Sequence, residues 1–194
     1  QSPMLLACPN GVIELETGEF RPGRPDDFLL KACPIRWQGI DAPRETWLRA
    51  LHEIYDGRKD LVGFVQRLFG LAIIGEVREH VIAVLSGQGR NGKGSVIIGL
   101  IAHVLGPLAA AVPPEMLLAQ SVKINASAPS PEIMALRGVR LAYASETDEY
   151  AKFSANRVKW LTGGDKLSAR APHDRTQQEF DPTHLLFLLT NHKP

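Results

Sequence analysis

"SGQGRNGKGS", residues 86–95, is the stretch from which the rest of the chain becomes readable. Gly87, four residues, then Gly92 and Lys93 reproduce the spacing of G-x-x-x-x-G-K-[ST], a loop whose backbone N–H groups cradle phosphate oxygens while the lysine reaches the β- and γ-phosphates. Gly89 and Asn91 supply small and polar positions within it. The residue after Lys93 departs from the pattern. Gly94 stands where a serine or threonine hydroxyl would hold Mg²⁺, and a hydroxyl arrives one place late, at Ser95.

A glycine cluster becomes a phosphate loop only in the right setting. "VIAVLS" (81–86) is a short β-branched apolar run, and "SVIIGLIAHVL" (95–105) reads as a helix closed by Gly106-Pro107. Strand, loop and helix in that order aim the loop N–H groups and the helix N-terminus at one point. Glycine in the first helical turn costs about 1 kcal/mol relative to alanine, and Ser95 lies about 100° around the axis from the usual hydroxyl. The expectation is therefore that Mg²⁺ is held mainly by nucleotide phosphates and water, with Ser95 a partner through a small shift of the helix start.

Downstream, "VRLAYASETDE" gives a strand over 139–144 followed at once by Glu146, a carboxylate placed to polarise an attacking water. Asp148 and Glu149 read equally well as a solvated acidic rim. Ser145 occupies the place of an aspartate that would hold Mg²⁺ through water. A further strand, "THLLFLLTN" (183–191), ends on Asn191. Alone, an asparagine there is a turn former; beside a nucleotide it hydrogen-bonds the γ-phosphate or orients the water. Between acid and asparagine, residues 154–161 read as a helix stopped by Gly163-Gly164, and 166–171 with 177–180 as a projecting hairpin around "PHDR". Lys166, Arg170, His173 and Arg175 cluster there. Such groups suit phosphate contacts that carry no base information, against the plainer reading of a solvated charged loop.

Upstream, "GVIELETGEF" alternates apolar and polar residues around Thr17-Gly18, a hairpin, and "RPGRPDD" is turn chemistry. Over 43–75 the apolar positions Trp47, Leu48, Leu51 and Ile54, then Leu61, Val62, Val65, Leu68, Phe69 and Ala72, fall at helical spacing with a break near Asp56-Gly57. This predicts two packing helices without chemistry of their own. The chain divides accordingly into an N-terminal hairpin and helical region (1–75) and an α/β core (76–194).

The 194 residues, 44% apolar and 22% charged, are enough for a true core, and a formal charge of +1 leaves any polyanion contact to local patches. Cys8 and Cys33 form no C-x-x-C and are expected as reduced thiols; the six histidines show no metal-ligand spacing. No apolar run approaches the ~20 residues of a membrane span, so a soluble, cytoplasmic protein is expected. The Gln start and the abrupt end after "LLTNHKP" read as cut ends.

"NGVIELETGEF", "GQGRNGKGS", "LAYASETDE", "VKWLTGGDKLSAR" and "FDPTHLLFLLTNHKP", in this order, resemble the superfamily 3 helicase domain of phage and plasmid primase-helicases, relatives of the poxvirus primase-helicase. The resemblance implies an AAA-like P-loop NTPase fold: a mostly parallel sheet flanked by helices, ligands at the carboxyl ends of its strands, and the sensor strand between the loop and acid strands. It makes the stretch from Gly87 to Ser95 the Walker A loop, Glu146 the Walker B acid, the stretch from Thr162 to Arg175 the DNA-contacting motif, and Asn191 the sensor. It further implies ATP and Mg²⁺ as cofactors, single-stranded DNA as partner, a homo-oligomeric ring, usually a hexamer, a primase domain or subunit, and a bacterial host cell. An arginine finger would follow the sensor, so a chain stopping at Pro194 is expected to bind nucleotide weakly and hydrolyse it poorly. The competing readings are a general AAA-type assembly module with weak or no hydrolysis and, more distantly, a small-molecule kinase.

Overall fold

The alternation around Thr17-Gly18 builds an antiparallel sheet of three strands, β1 (Leu5–Cys8), β2 (Gly11–Glu14) and β3 (Phe20–Arg21), in a computed structural model that describes residues 2–87, 93–119, 129–145, 152–172, 174 and 176–191. Gly18 turns the β2–β3 hairpin at φ 75, open to glycine without strain. β1 was not expected, because "LLAC" does not alternate; it pairs with β2 from Leu5↔Glu14 to Cys8↔Gly11. Arg21 locks this sheet to the turn that follows. Its guanidinium donates to Glu14 at 2.6 Å and to both oxygens of Asp27, at 2.8 and 3.0 Å. Arg21, helped by the Arg24 backbone N–H, holds the Asp27 carboxyl down to about 2.

The two expected helices are α1 (Glu45–Ile54) and α2 (Lys59–Ile73). The break is where the sequence places it: Asp56 and Gly57 both take positive φ, 52 and 68. Val62, Val65, Phe69 and Ala72 recur at three- and four-residue steps and form the buried stripe of α2. Phe69 stacks on Phe187 with ring centroids 5.2 Å apart, which joins α2 to the main sheet.

β4 (Ile82–Ser86) leads towards the glycine loop, and the chain re-enters helical geometry at Lys93 rather than Ser95. The first six residues, Lys93–Ile98, form a wide π turn that continues into α3 (Gly99–Leu105). Gly99 accommodates this widening: a Cβ there would lie 3.2 Å from the Gly94 carbonyl oxygen, five residues back. After α3 come β5 (Ala109–Ala111), α4 (Pro131–Met134), β6 (Leu141–Ser145), α5 (Ala155–Thr162), β7 (Leu167–Ala169), β8 (Gln178–Phe180) and β9 (Leu185–Thr190).

The main sheet has the order β4-β9-β6-β5, and every pair in it is parallel. β9 runs through its middle and all six of its residues are buried, which is why "LLFLLT" lacks alternation. β5 escapes the sequence reading because three alanines carry little strand preference; pairing with β6 defines it. Ser154 caps α5 by accepting from the Arg157 N–H. No helix among the described residues is long and apolar enough to cross a membrane.

Arg140, just ahead of β6, is 2% exposed and donates to the carbonyls of Ile73, at the end of α2, and Leu5, in β1. Burial pulls its pKa down to about 10. This one side chain ties the N-terminal sheet, α2 and the main sheet together at the amino ends of the parallel strands. Arg140→Leu removes the donor to the Ile73 and Leu5 carbonyls and is expected to cost about 3 kcal/mol, read as a lowered urea midpoint.

His184, next to β9, is equally enclosed, and neither ring nitrogen has a hydrogen-bond partner among the described residues. Burial pushes its pKa down to about 4, opposed in part by the nearby Leu161 backbone. An unfolded histidine titrates near 6.5, so between these values the unfolded chain binds the extra proton. Stability should therefore hold above pH 6.5 and fall by up to about 3 kcal/mol as pH drops towards 4, a slope that His184→Leu flattens. Urea midpoints measured from pH 7 to 4.5 check this.

Candidate functional site

The parallel register brings the carboxyl ends of three strands together. Ser86, at the end of β4, pairs with Thr190 at the end of β9, and Ser145, at the end of β6, pairs with Leu189. The Gly87 N–H donates to the Thr190 carbonyl at 3.2 Å, so the glycine loop departs from the sheet directly beside the end of β9. Asn191 follows β9 and is exposed at that edge. The strand order places β9 between the loop strand and the acid strand.

The other loop positions divide between those described and those outside. Gly89, Asn91 and Gly92 lie outside the described residues, as does Glu146 after β6. For Lys93 and Ser95 the backbone is described, and it lies in the π turn that opens the helix. Gly94 is exposed, and a Cβ there would meet the Leu189 side chain at 3.7 Å, an ordinary contact. Among the described atoms, then, sterics alone do not demand glycine after Lys93. The helix begins at Lys93, two residues before the expected start. Among the described residues no group of three His, Cys, Asp or Glu could hold a metal ion.

The basic hairpin forms as β7 and β8, paired antiparallel from Leu167↔Phe180 to Ala169↔Gln178. Its base does not project freely. Leu167 and Ala169 are buried in the core shared with Leu136 and Ile133, since L-S-A turns alternate residues inward. Lys166 is exposed at the base, and Arg170 is half-buried with its guanidinium donating to the Asp174 carbonyl at 3.1 Å. His173 and Arg175 lie outside the described residues. Gly163-Gly164 closes α5 for two reasons: a Cβ on Gly163 would lie 2.5 Å from the Lys159 carbonyl oxygen, and Gly164 takes φ 79. Thr190 and Arg140 were not singled out by sequence; strand register reveals the first and burial the second.

Residues 1–56 match the family described as "D5 N terminal like". Over 192 residues, 98% of the chain, the sequence is 30% identical to the Acanthamoeba polyphaga mimivirus protein "Putative helicase L207/L206", of which 20% is covered. It is 28% identical along its whole length to "Putative helicase 121R" of Invertebrate iridescent virus 3, covering 21% of that protein. The chain thus spans about a fifth of the length of the curated relatives it matches. Among solved structures, the apo C-terminal region of NrS-1 superposes with a TM-score of 0.54 at 16% identity, over 90% of this chain and 37% of that one. A second structure of that region, residues 305–718, gives 0.55 at 15% identity, over 89% and 36%. At such identity the likeness is one of fold. The resemblance drawn from the motifs and the comparisons agree: residues 1–56 are similar to the family described as D5 N terminal like, and the chain is similar along its length to viral proteins named as helicases.

Proposed function

We propose that this chain is the ATP-dependent helicase or translocase module of a replication primase-helicase, acting with Mg²⁺ on single-stranded DNA as part of a homo-oligomeric ring. The observation that carries the proposal is the convergence of β4, β9 and β6 at one edge, with Gly87 hydrogen-bonded to the end of β9. That edge suits a nucleoside triphosphate. Residues 86–95 supply the phosphate cradle, Lys93 the compensating charge, Glu146 the base for water and Asn191 the γ-phosphate contact. Ser95 and Glu146 would be the protein partners of a Mg²⁺ ion, which would supply charge neutralisation for the phosphates there. Lys166, Arg170, His173 and Arg175 bear on the DNA backbone. The names of the viral relatives favour a helicase over a kinase.

The deciding experiment is ATP hydrolysis by the protein extended past Pro194, with and without single-stranded DNA, alongside DNA binding at low salt. Stimulation by DNA, lost when Lys166, Arg170, His173 and Arg175 are all replaced by alanine, is the expected result. Nucleotide binding with neither stimulation nor DNA affinity would refute the helicase reading in favour of an AAA-type assembly module.

A further inference from the structure

Cys8 and Cys33 are far apart in the sequence and meet in the fold. Cys8 ends β1, and the Cys33 N–H donates at 2.9 Å to the carbonyl of Ala7, the residue before it. The chain at Cys33 therefore runs along the side of β1 that β2 leaves open. Extended chains joined in this way lie about 4.8 Å apart, inside the Cα separation of roughly 4.4 to 6.8 Å that a disulfide spans. Both side chains turn the same way. Cys33 is part of the buried core, Cys8 packs half-buried against that core, and Cys33 acts on the Cys8 thiol by charge and by hydrogen bonding. Both are free thiols.

The two sulfurs are placed differently. Cys8 borders a cavity of about 700 Å³, lined also by Asn10, Arg24, Phe28 and Leu30, which is room for a molecule the size of a tripeptide. Cys33 is buried, and its thiol donates to the Val104 carbonyl at 2.8 Å. Val104 lies in the last turn of α3, where carbonyls have no partner within the helix, so this thiol caps the helix that follows the glycine loop. Burial, with Cys33 beside it, pushes the Cys8 pKa up to about 11. Little thiolate is present near neutral pH, and exchange there is slow.

We propose that Cys8 and Cys33 form a thiol–disulfide exchange site for small disulfides of the glutathione type, in which Cys8 reacts first and Cys33 resolves the product. The Cys8 sulfur, on losing its proton, attacks one sulfur of glutathione disulfide; the S–S bond of that molecule breaks, and the departing glutathione thiolate takes up a proton. The Cys33 sulfur then attacks Cys8 in the mixed disulfide and expels the second glutathione, the Cys33 proton passing to that thiolate. The two protein thiols are oxidised to one disulfide, and glutathione disulfide is reduced to glutathione. The hydrogen that capped Val104 is consumed in the second step, so the state of the thiols is felt at the end of α3.

The test incubates the folded chain with glutathione disulfide at about pH 8.5 for hours, followed by intact mass and by counting thiols after denaturation. The expected product has lost both thiols, is lighter by two hydrogens, carries no glutathione and returns to the starting mass with dithiothreitol. Cys33→Ser, which keeps a hydroxyl for the Val104 carbonyl, should instead hold one glutathione on Cys8, and Cys33→Ala should do the same if the serine variant does not fold. Cys8→Ser should stay unmodified. In the oxidised protein, amide hydrogen exchange in the last turn of α3 should run several-fold faster than in the reduced protein. Thiols that remain unreacted, or glutathione that persists on Cys8 with Cys33 present, would overturn the site. A disulfide that forms and leaves exchange in α3 unchanged would overturn its link to the helix.

Discussion

In the protein extended past Pro194, Lys93→Ala is expected to lower ATP turnover at least about a hundredfold and to weaken triphosphate binding as well. The loop's backbone N–H groups contribute dipoles, but the ammonium is the full positive charge that the motif assigns to the β- and γ-phosphates. Lys93 is the first residue of the helical turn after the loop, and on the proposed reading its charge would add to the anion preference of a helix start. Removing the charge leaves the backbone cradle in place; a circular dichroism melt close to that of the unchanged protein would confirm this. Phosphate release measured against ATP concentration gives both effects, and tripolyphosphate affinity should fall with ATP affinity. A variant with unchanged turnover would end the reading of residues 86–95 as a nucleotide site.

Glu146→Gln should divide these two effects. The amide keeps the shape of the carboxylate and cannot accept the proton of the attacking water, so turnover should drop about 10²- to 10⁴-fold while ATP affinity stays within about threefold. Glu146 follows Ser145, whose strand pairs with β9 one position from the Thr190 that meets Gly87. The signature is a variant that retains bound ATP after a single mixing, seen by filter binding, without releasing phosphate. Turnover equal to that of the unchanged protein would move the base elsewhere, to Asp148 or Glu149 among the nearby acids. A site that had lost its chemistry would show no turnover in the unchanged protein and nothing for either replacement to remove.

What the sequence made legible follows the range of the interactions involved. α2 was readable because Val62, Val65, Phe69 and Ala72 repeat at the helical period, and its start because Asp56-Gly57 favour positive φ. β9 was readable as a continuous apolar run, a pattern that already marks a strand buried on both faces. β1 and β5 were not, since each is defined by a neighbour: β1 by its register with β2, and the alanines of β5 by pairing with β6. The π turn at Lys93–Ile98 was equally hidden, because no local pattern marks the widening; it shows only in the backbone, where Gly99 comes close to the Gly94 carbonyl five residues back. For the candidate site, the order of Gly87, Ser145 and Asn191 along the chain was legible, but their meeting at one edge required the pairing Ser86↔Thr190. The packed base of the hairpin could have been seen in the sequence, where Leu167 and Ala169 alternate with Ser168 and mark one buried face.

The joint at Arg140 differs from the ion pairs of Arg21 with Glu14 and Asp27 and from the phosphate contacts proposed for the basic hairpin. Its partners are neutral backbone carbonyls and it is buried, so dissolved ions have little electrostatic attraction to screen there. Contacts of Lys166 and its neighbours with a DNA backbone would weaken steeply with added salt, as released counterions lose their entropic advantage. Ionic strength should therefore act selectively on this protein: raising it would strip any nucleic acid from the proposed surface while the seam between the N-terminal strands, α2 and the main sheet stays closed, so that a loss of DNA could be followed without loss of the fold.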